Sequence, residues 1–476
     1  EFRRVLFRSV SAGENKLISA PQFYELTQYL KVGKNRIFIE VDNGQECGLP
    51  REIASSHMWS DDTQTNWNGI LGEISLTARN SVYLRKIKTI PDAVQKQLKI
   101  CVIIENSLNE TADYQIQSIV SNGKKKLLVQ KQNMRVKPGQ NTLEFVLPLT
   151  KNVKLWDEYS PALYTVAVSL HKNGTQTDEA KSTFGLRTFK SEGKHFSING
   201  RNIFLRGRHD ACVFPLTGYA PMNEEAWISY FSILKKYGFN HVRFHSWCPP
   251  EAAFAVADRM GFYLQPEGPS WPNHSTQLGR GLPIDTYLMD EMKRITKEYG
   301  NYASFAFLAS GNEPRGAWVP WVGKFVDYWK ATDSRRLYTG ASVGQGWAWQ
   351  PKSQYHVKAG ARGLTWSTAR PETMGDYASR IDTIKEPYVS HETGQWCVFP
   401  NFDEIKKYTG VTRAKNFELF KEDLYDSDMS DLSHEFLMAS GKLQSLCYKH
   451  EIEKTLRTPN YAGFQLLCLN DYSGQG

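Results

Sequence analysis

Between residues 17 and about 185 the chain alternates apolar and polar positions in short runs. Ile37–Val41, Ile74–Ala78, Leu98–Ile104, Gln115–Val120, Thr142–Val146 and Tyr164–Leu170 each read as a strand with one face turned inward. Asn122-Gly123, Pro138-Gly139 and Asn173-Gly174 lie between or beside these runs as turns. The pattern predicts an all-β region, and a break over Arg85–Pro91 predicts that it has two parts. Residues 1–9 carry neither a helical nor a strand period and read as a non-native scar outside the fold.

After about residue 190 the period changes. Strand-like runs at Ile203–Arg206, Asn240–Phe244, Phe262–Gln265, Phe305–Leu308, Arg336–Thr339, Ser353–His356, Tyr388–Ser390 and Gly463–Leu467 alternate with amphipathic helices. One helix is predicted from Asn223, an N-cap followed by Glu224 and Glu225, with Trp227, Phe231 and Leu234 as its apolar stripe and Gly238 at its end. Two more are predicted from Pro249-Pro250-Glu251 to Gly261 and from Asp285 to Gly300. Strands and helices alternating in this way predict a (β/α)8 barrel; an open doubly wound sheet is the competing fold, but no Gly-rich phosphate turn accompanies the strands.

A barrel places its chemistry at the C-terminal ends of its strands. Polar residues gather at those ends: His209 and Asp210, Arg243 and His245, Glu267, Asn312 and Glu313, Tyr355 and His356, Glu392, and Asp471. Glu313 and Glu392 each follow a short apolar run and precede a turn. An ionised Glu at the end of a buried strand needs a reason other than packing. Two carboxyl groups about 5–5.5 Å apart make the acid/base and nucleophile of a retaining glycosidase. Asn312 is placed to hydrogen-bond a sugar 2-hydroxyl, and the other rim residues to bind substrate.

Composition narrows the classes. At 476 residues the chain exceeds one compact core, so two or three domains are expected. No apolar run approaches the ~18 residues of a membrane span, and no membrane partner is expected. The net charge of +8 is spread along the chain; its one basic run, Lys124–Lys126, reads as a solvated hairpin, and no nucleic acid is expected. The seven cysteines lack metal-ligand spacing and read as free thiols. His209, Asp210 and His245 could hold a cation, but without a His-x-x-x-His or Cys/His cluster hydroxyl binding is the favoured role, and neither metal nor cofactor is expected. Nine of the 13 tryptophans fall between Trp247 and Trp396, several in loop-like strings such as Gly316–Trp321 and Gly346–Trp349. Flat rings in loops suit the C–H faces of a sugar, and Trp366 and Trp396 are taken from this cluster as substrate-binding. Gly340-Ala-Ser-Val-Gly344 matches the serine-esterase elbow, but it runs into a loop rather than a helix.

The residues also carry a resemblance. Asn312-Glu313 on the fourth barrel strand with Glu392 on the seventh resembles the clan A glycoside hydrolases, and the surrounding segments resemble glycoside hydrolase family 2. Thr65–Gly72 resembles the end of that family's sugar-binding jelly roll. Leu155–Pro161 with Leu163-Tyr164 and Phe184–Thr188 resembles its immunoglobulin-like sandwich, and Asn199–Asn202 with Leu205–Gly207 the lead-in to its barrel. The resemblance implies a multidomain β plus α/β chain: a partial jelly-roll domain over 10–86, an immunoglobulin-like β-sandwich over 87–188, and a (β/α)8 TIM barrel over 189–476 lacking its final helix. It implies truncation at both ends, and hence low stability for the chain as it stands. It implies a retaining, exo-acting β-glycosidase with Glu313 as acid/base and Glu392 as nucleophile, acting on β-galactoside-like or related sugars; a non-catalytic carbohydrate-binding relative is the alternative. The intact parent is expected in the periplasm or secreted, and open to homo-oligomer formation. Phe244–Pro249 and Leu467-Cys468 depart from the strings usual in β-galactosidases, so the sugar stays open.

Overall fold

The computed structural model describes residues 2–7, 10–44, 48–50, 52–53, 56–57, 68–150, 152–271, 276–467 and 469. Sheets come first and an α/β ring follows, so the architecture is multidomain β plus α/β. The first unit is a three-stranded antiparallel sheet in the order Val10–Asn15, Phe2–Phe7, Ile37–Asp42. The expectation that residues 1–9 stand outside the fold is corrected here, since Phe2–Phe7 is the middle strand. Ladders are made by backbone groups, which a side-chain period does not report. The strand expected at Ile74–Ala78 does not form; Ile74 and Leu76 are exposed on a segment with no ladder.

The second unit packs two antiparallel sheets face to face. One orders Val82–Asp92, Gln97–Asn106 and Gly139–Pro148; the other orders Thr175–Gly185, Leu163–Lys172, Ala112–Asn122 and Lys125–Val136. Leu98, Ile100, Val102 and Ile104, at every second position, bury against Ile116, Val120, Val166, Val168 and Leu170. The break expected over Arg85–Pro91 lies inside one continuous strand. A register shift between Leu84 and Lys86 makes Arg85 an extra residue. The inward phase therefore moves from Val82 and Leu84 to Ile87 and Thr89, which is what a β-bulge does to a period of two. The boundary expected at 86/87 thus falls within a strand of the sandwich. Gly123 turns the Asn122 hairpin with a φ of 54°, and Lys124–Lys126 are exposed at its tip.

The third unit is a ring of eight parallel strands: Leu205–Asp210, His241–Phe244, Tyr263–Pro266, Phe307–Leu308, Leu337–Tyr338, His356–Val357, Tyr388–Thr393 and Tyr461–Leu466, referred to below as barrel strands 1 to 8. Strands 3, 2, 1, 8, 7 and 6 form one continuous sheet. Strand 3 reaches strand 4 through Leu264–Phe305 and Glu267–Ala309, strand 4 pairs with strand 5, and Val343–Lys358 joins strands 5 and 6. Strand 1 starts later than expected, because Arg201–Ile203 belongs to an antiparallel hairpin sheet with Phe189–Glu192 and His195–Ile198. That hairpin plugs the N-terminal mouth: Phe189, Phe196 and Ile198 pack on Tyr263, Phe307 and Tyr355.

The helix Glu224–Lys236 is capped as expected, Asn223 accepting from the Ala226 N–H at 3.0 Å, with Trp227, Phe231 and Leu234 buried. Glu251–Met260 ends at Gly261 with a φ of 75°, and Pro283–Tyr299 fills the third expected place. Gly316–Trp321, read as a loop from sequence, instead leads into the helix Trp318–Thr332, whose Trp318, Val322, Phe325, Val326 and Trp329 are buried. Trp156 of the sandwich donates to the Asp258 carbonyl at 2.8 Å and Arg187 to that of Ala303 at 2.7 Å, docking sandwich on ring. Among the described residues no helix is long and apolar enough to cross a membrane.

Candidate active site

The floor of the ring's C-terminal mouth is an ion pair with no exposure. Arg243, on strand 2, donates through Nε to Glu267 Oε1 at 2.7 Å and through Nη2 to Glu267 Oε2 at 3.2 Å. Glu267 also accepts from the Ser246 N–H, Gln265 Nε2 and Ser342 Oγ. Two buried charges are tolerable only with this degree of compensation. Arg243 Nη2 further donates to Asn312 Oδ1 at 2.7 Å. That fixes the Asn312 amide, whose Nδ2 is buried without a hydrogen-bond partner.

Two half-buried carboxyl groups stand over this floor. Glu392, at the end of strand 7, lies with Oε1 3.3 Å from His391 Nδ1, 3.8 Å from His245 Nε2 and 3.9 Å from Arg243 Nη1, and with Oε2 3.8 Å from Arg362 Nη1. Burial alone would raise its pKa, but His391, by charge and hydrogen bond, with Arg243 and the imidazole of His209 close by, outweighs burial and holds it well below the usual carboxylate range. Glu313 has the opposite setting. Burial first, then the negative charge of Glu392, raise its pKa above the ordinary Glu value. Its N–H is anchored on the Ser342 carbonyl at 2.7 Å, and its Oε1 lies over Gly344, where a Cβ would stand 2.5 Å from it.

Imidazoles line one side. His209 and His245 are buried with ring centroids 4.6 Å apart. Burial, then Arg243 for His209 and His209 for His245, hold both well below the ordinary histidine pKa, so both are neutral near pH 7. His57 stacks on Trp271 and stands 4.6 Å from His245; burial and Arg243 push it down to about 3. Such a mouth can donate hydrogen bonds to a neutral polyol, keep Glu392 ionised and favour the protonated form of Glu313 over that of an ordinary Glu.

Residues 82–187 match the family model described as Glycosyl hydrolases family 2. A curated β-glucuronidase of Bacteroides fragilis is 24% identical over 343 residues, covering 67% of this chain and 47% of that protein. A β-galactosidase of Yersinia enterocolitica is 26% identical over 318 residues, covering 62% and 29%. Among solved structures, a Bacteroides uniformis β-glucuronidase covalently bound to cyclophellitol-6-carboxylate aziridine superposes with a TM-score of 0.73 at 15% identity, over 100% of this chain and 56% of that one. A β-galacturonidase from Eisenbergiella tayi bound to galacturonate gives 0.69 at 14%, over 98% and 77%. The chain is similar to glycoside hydrolase family 2 proteins, in sequence over residues 82–187 and in fold over its length. It spans about half the length of the B. fragilis protein it matches.

In this chain Glu313, Glu392, Asn312, Arg243, His209 and His245 come together. Three expected rim residues sit elsewhere, two of them because successive residues on a barrel strand point to opposite sides. Asp210 faces outward, accepting from Tyr230 Oη at 2.7 Å and the Cys212 N–H at 3.0 Å, 3.4 Å from Arg208. His356 also faces outward, against Trp349 and 3.4 Å from Glu386. Tyr355 points inward but low, bonded to Gln265 and packed on Phe196 and Phe307. Trp366 rests on His450, and Trp396 donates to Glu451 at 2.7 Å, on the loops after strands 6 and 7. Asp471 lies outside the described residues. Ser342 is buried with its Oγ on Glu267, which leaves it no role as an esterase nucleophile. Sequence reasoning missed His391, whose adjacency to Glu392 was the available signal. It also missed His57 and Arg362, which carry no local pattern. Arg362 Nη1 donates to the carbonyls of both His391 and Glu392, at 2.8 and 2.5 Å.

Proposed function

We propose that the chain is the catalytic portion of a retaining, exo-acting β-glycosidase that hydrolyses O-glycosidic bonds by double displacement, Glu313 serving as acid/base and Glu392 as nucleophile. The observation that carries the reading is the opposite displacement of the two carboxyls: the pKa of Glu313 is raised by burial and by the charge of Glu392, while that of Glu392 is lowered, in the same mouth. Glu313 gives its proton to the leaving oxygen while Glu392 attacks the anomeric carbon and forms a glycosyl ester. Glu313, now a carboxylate, takes a proton from water, whose oxygen displaces Glu392 and restores both groups. The free Nδ2 of Asn312 is the donor for the 2-hydroxyl; His209 and His245 receive further hydroxyls.

The domain reading goes with it: a partial jelly roll before the sandwich, an immunoglobulin-like sandwich, and a (β/α)8 barrel around the site, the parent enzyme being periplasmic or secreted. Relatives named β-glucuronidase and β-galactosidase support a substrate among β-linked hexosides and hexuronides.

The test is Glu392→Gly assayed on a panel of aryl β-glycosides with and without azide. Loss of hydrolysis with azide rescue as a glycosyl azide assigns the nucleophile; unchanged hydrolysis overturns the mechanism. Sugar binding by the parent chain without turnover of any panel member would leave a non-catalytic carbohydrate-binding relative.

A further inference from the structure

His245 sits at the bottom of the mouth, 2% exposed, and neither of its ring nitrogens has a hydrogen-bond partner. Nδ1 of His209, equally buried, has none either. A buried polar nitrogen left unpaired costs about 1–3 kcal/mol, so three in one pocket call for a ligand. Sugar hydroxyls can satisfy some of them. They do not account for a third feature: donor atoms of His209, His245 and Glu392 lie within 4.8 Å of one another, with His245 Nε2 and Glu392 Oε1 3.8 Å apart.

At a tetrahedral zinc ion with bonds of about 2.0–2.2 Å, neighbouring donors stand about 3.4 Å apart. Donors 3.8 to 4.8 Å apart must therefore close by about 0.4–1.4 Å to reach an ion. Two imidazoles and one carboxylate with a position left open is a zinc donor set, and imidazole favours zinc and copper over magnesium or calcium. Asp210, which the sequence offered as third ligand, is turned away, and Glu392 takes its place. Arg243 and Arg362 oppose a cation, but Arg243 is already neutralised by Glu267.

We propose that His209, His245 and Glu392 bind one borderline divalent transition cation of the zinc class, and that this ion, by taking the Glu392 oxygen, blocks glycoside hydrolysis. Binding stands on the donor geometry alone; the inhibition rests on the glycosidase reading. The ion is an inhibitor that excludes the sugar, not a resident cofactor, since it occupies the atom that must attack.

The experiment titrates the full chain with Co2+, followed by visible absorption, and with Zn2+, followed by calorimetry. Both use a Cys397→Ser background, because Cys397 is an exposed thiol that would bind either metal. The expected result is one ion per chain, an intense tetrahedral cobalt spectrum, and at least a tenfold loss of affinity in His245→Ala and in His209→Ala. His245→Asn, which keeps size and polarity, guards against a variant that fails to fold. Equal affinity in parent and folded histidine variants, or no stoichiometric binding, overturns the proposal. Zn2+ should abolish aryl-glycoside hydrolysis, with recovery on adding a chelator. Stoichiometric, histidine-dependent binding in a chain that never hydrolyses a glycoside would sink the enzymatic reading and leave the metal site standing. Hydrolysis indifferent to saturating Zn2+ would sink the inhibition.

Discussion

Glu267→Gln is the most demanding test of the floor beneath the two carboxyls. Oε1 of Glu267 accepts from Arg243 Nε at 2.7 Å, Gln265 Nε2 at 3.1 Å and Ser342 Oγ at 2.5 Å. Oε2 accepts from Arg243 Nη2 at 3.2 Å and the Ser246 N–H at 3.1 Å. Glutamine keeps the shape but turns one oxygen into a donor. Its least costly placement, at the Oε2 position, still points N–H against N–H at both Arg243 and Ser246. It also leaves the Arg243 charge, wholly buried, without its counter-ion. Breaking a buried pair from one side costs about 3–5 kcal/mol. Ser342→Ala removes a single donor to the same carboxylate and should cost about 1 kcal/mol. Urea denaturation followed by tryptophan fluorescence, compared at equal m, measures both. The variant has a second signature. With Glu267 neutral, the uncompensated field of Arg243 lowers the pKa of Glu313 further, since Arg243 already acts in that direction. If Glu313 is the acid proposed above, it must be protonated to act, and activity should fall away at a lower pH than in the parent. A Glu267→Gln cost no greater than that of Ser342→Ala would refute the account of the floor as a compensated ion pair.

Four further outcomes follow from the same geometry. The pH–rate profile should keep activity above the ordinary Glu pKa of 4.5, declining as rising pH deprotonates Glu313, and should lose activity on the acid side only well below that value, where Glu392 protonates. Glu313→Gln should erase the basic limb and slow substrates with poor leaving groups about 10²–10⁴-fold, while spared substrates are those with strongly acidic leaving groups. Gly344→Ala places a Cβ 2.5 Å from Glu313 Oε1 and 2.8 Å from the Trp347 ring. A displacement of about 1 Å at a reacting group costs about 100-fold, so kcat/KM should fall by that order with the urea midpoint nearly unchanged. Glu392→Gly should be more stable than Glu392→Ala by about 1–2 kcal/mol, because φ at this position is 52° and only glycine adopts that region without penalty; equal urea midpoints would contradict it.

Four of the seven sandwich strands, and at least part of each of the eight ring strands, were legible because burial imposes its period on the chain. Leu98, Ile100, Val102 and Ile104 alternate because one face is core and the other is not. The misreadings have equally local causes. Arg85 inserts a bulge that reverses the alternation, so one strand looked like a break. Gly316–Trp321 read as loop because Gly316 and Pro320 interrupt the string; Pro320 falls in the helix's first turn, where the missing N–H costs nothing. Glu313 and Glu392 were legible because a strand-end carboxylate is hard to explain by packing. Arg362 and His57 were not, since each reaches the mouth from a segment with no period, and only the folded chain brings them there. Asp210 and His356 were over-read. Position near a strand end says that a residue is at the rim, but the parity of the strand decides whether it faces the cleft.

The backbone marks the same place without reference to side-chain chemistry. Nine non-glycine residues among those described have positive φ. Asn173, Asn199, Asp428 and Asn460 are residue types that tolerate this region, and Lys96 ends a hairpin turn. The remaining four are Cys212, Ser246, Glu313 and Glu392, with φ of 61°, 57°, 44° and 52°. All four lie at or just beyond the C-terminal ends of barrel strands, after strands 1, 2 and 4 and on strand 7. Each costs about 1–3 kcal/mol and persists only where its surroundings over-determine it. The surroundings do so here. Asp210 Oδ1 holds the Cys212 N–H, Glu267 Oε2 that of Ser246, and the Ser342 carbonyl that of Glu313, while Arg362 clamps the Glu392 carbonyl. Read this way, Asp210 and Glu267 never need to touch a sugar to matter. They hold strained turns that aim the residues above them into one mouth, and the ion-pair floor is as much a backbone device as an electrostatic one.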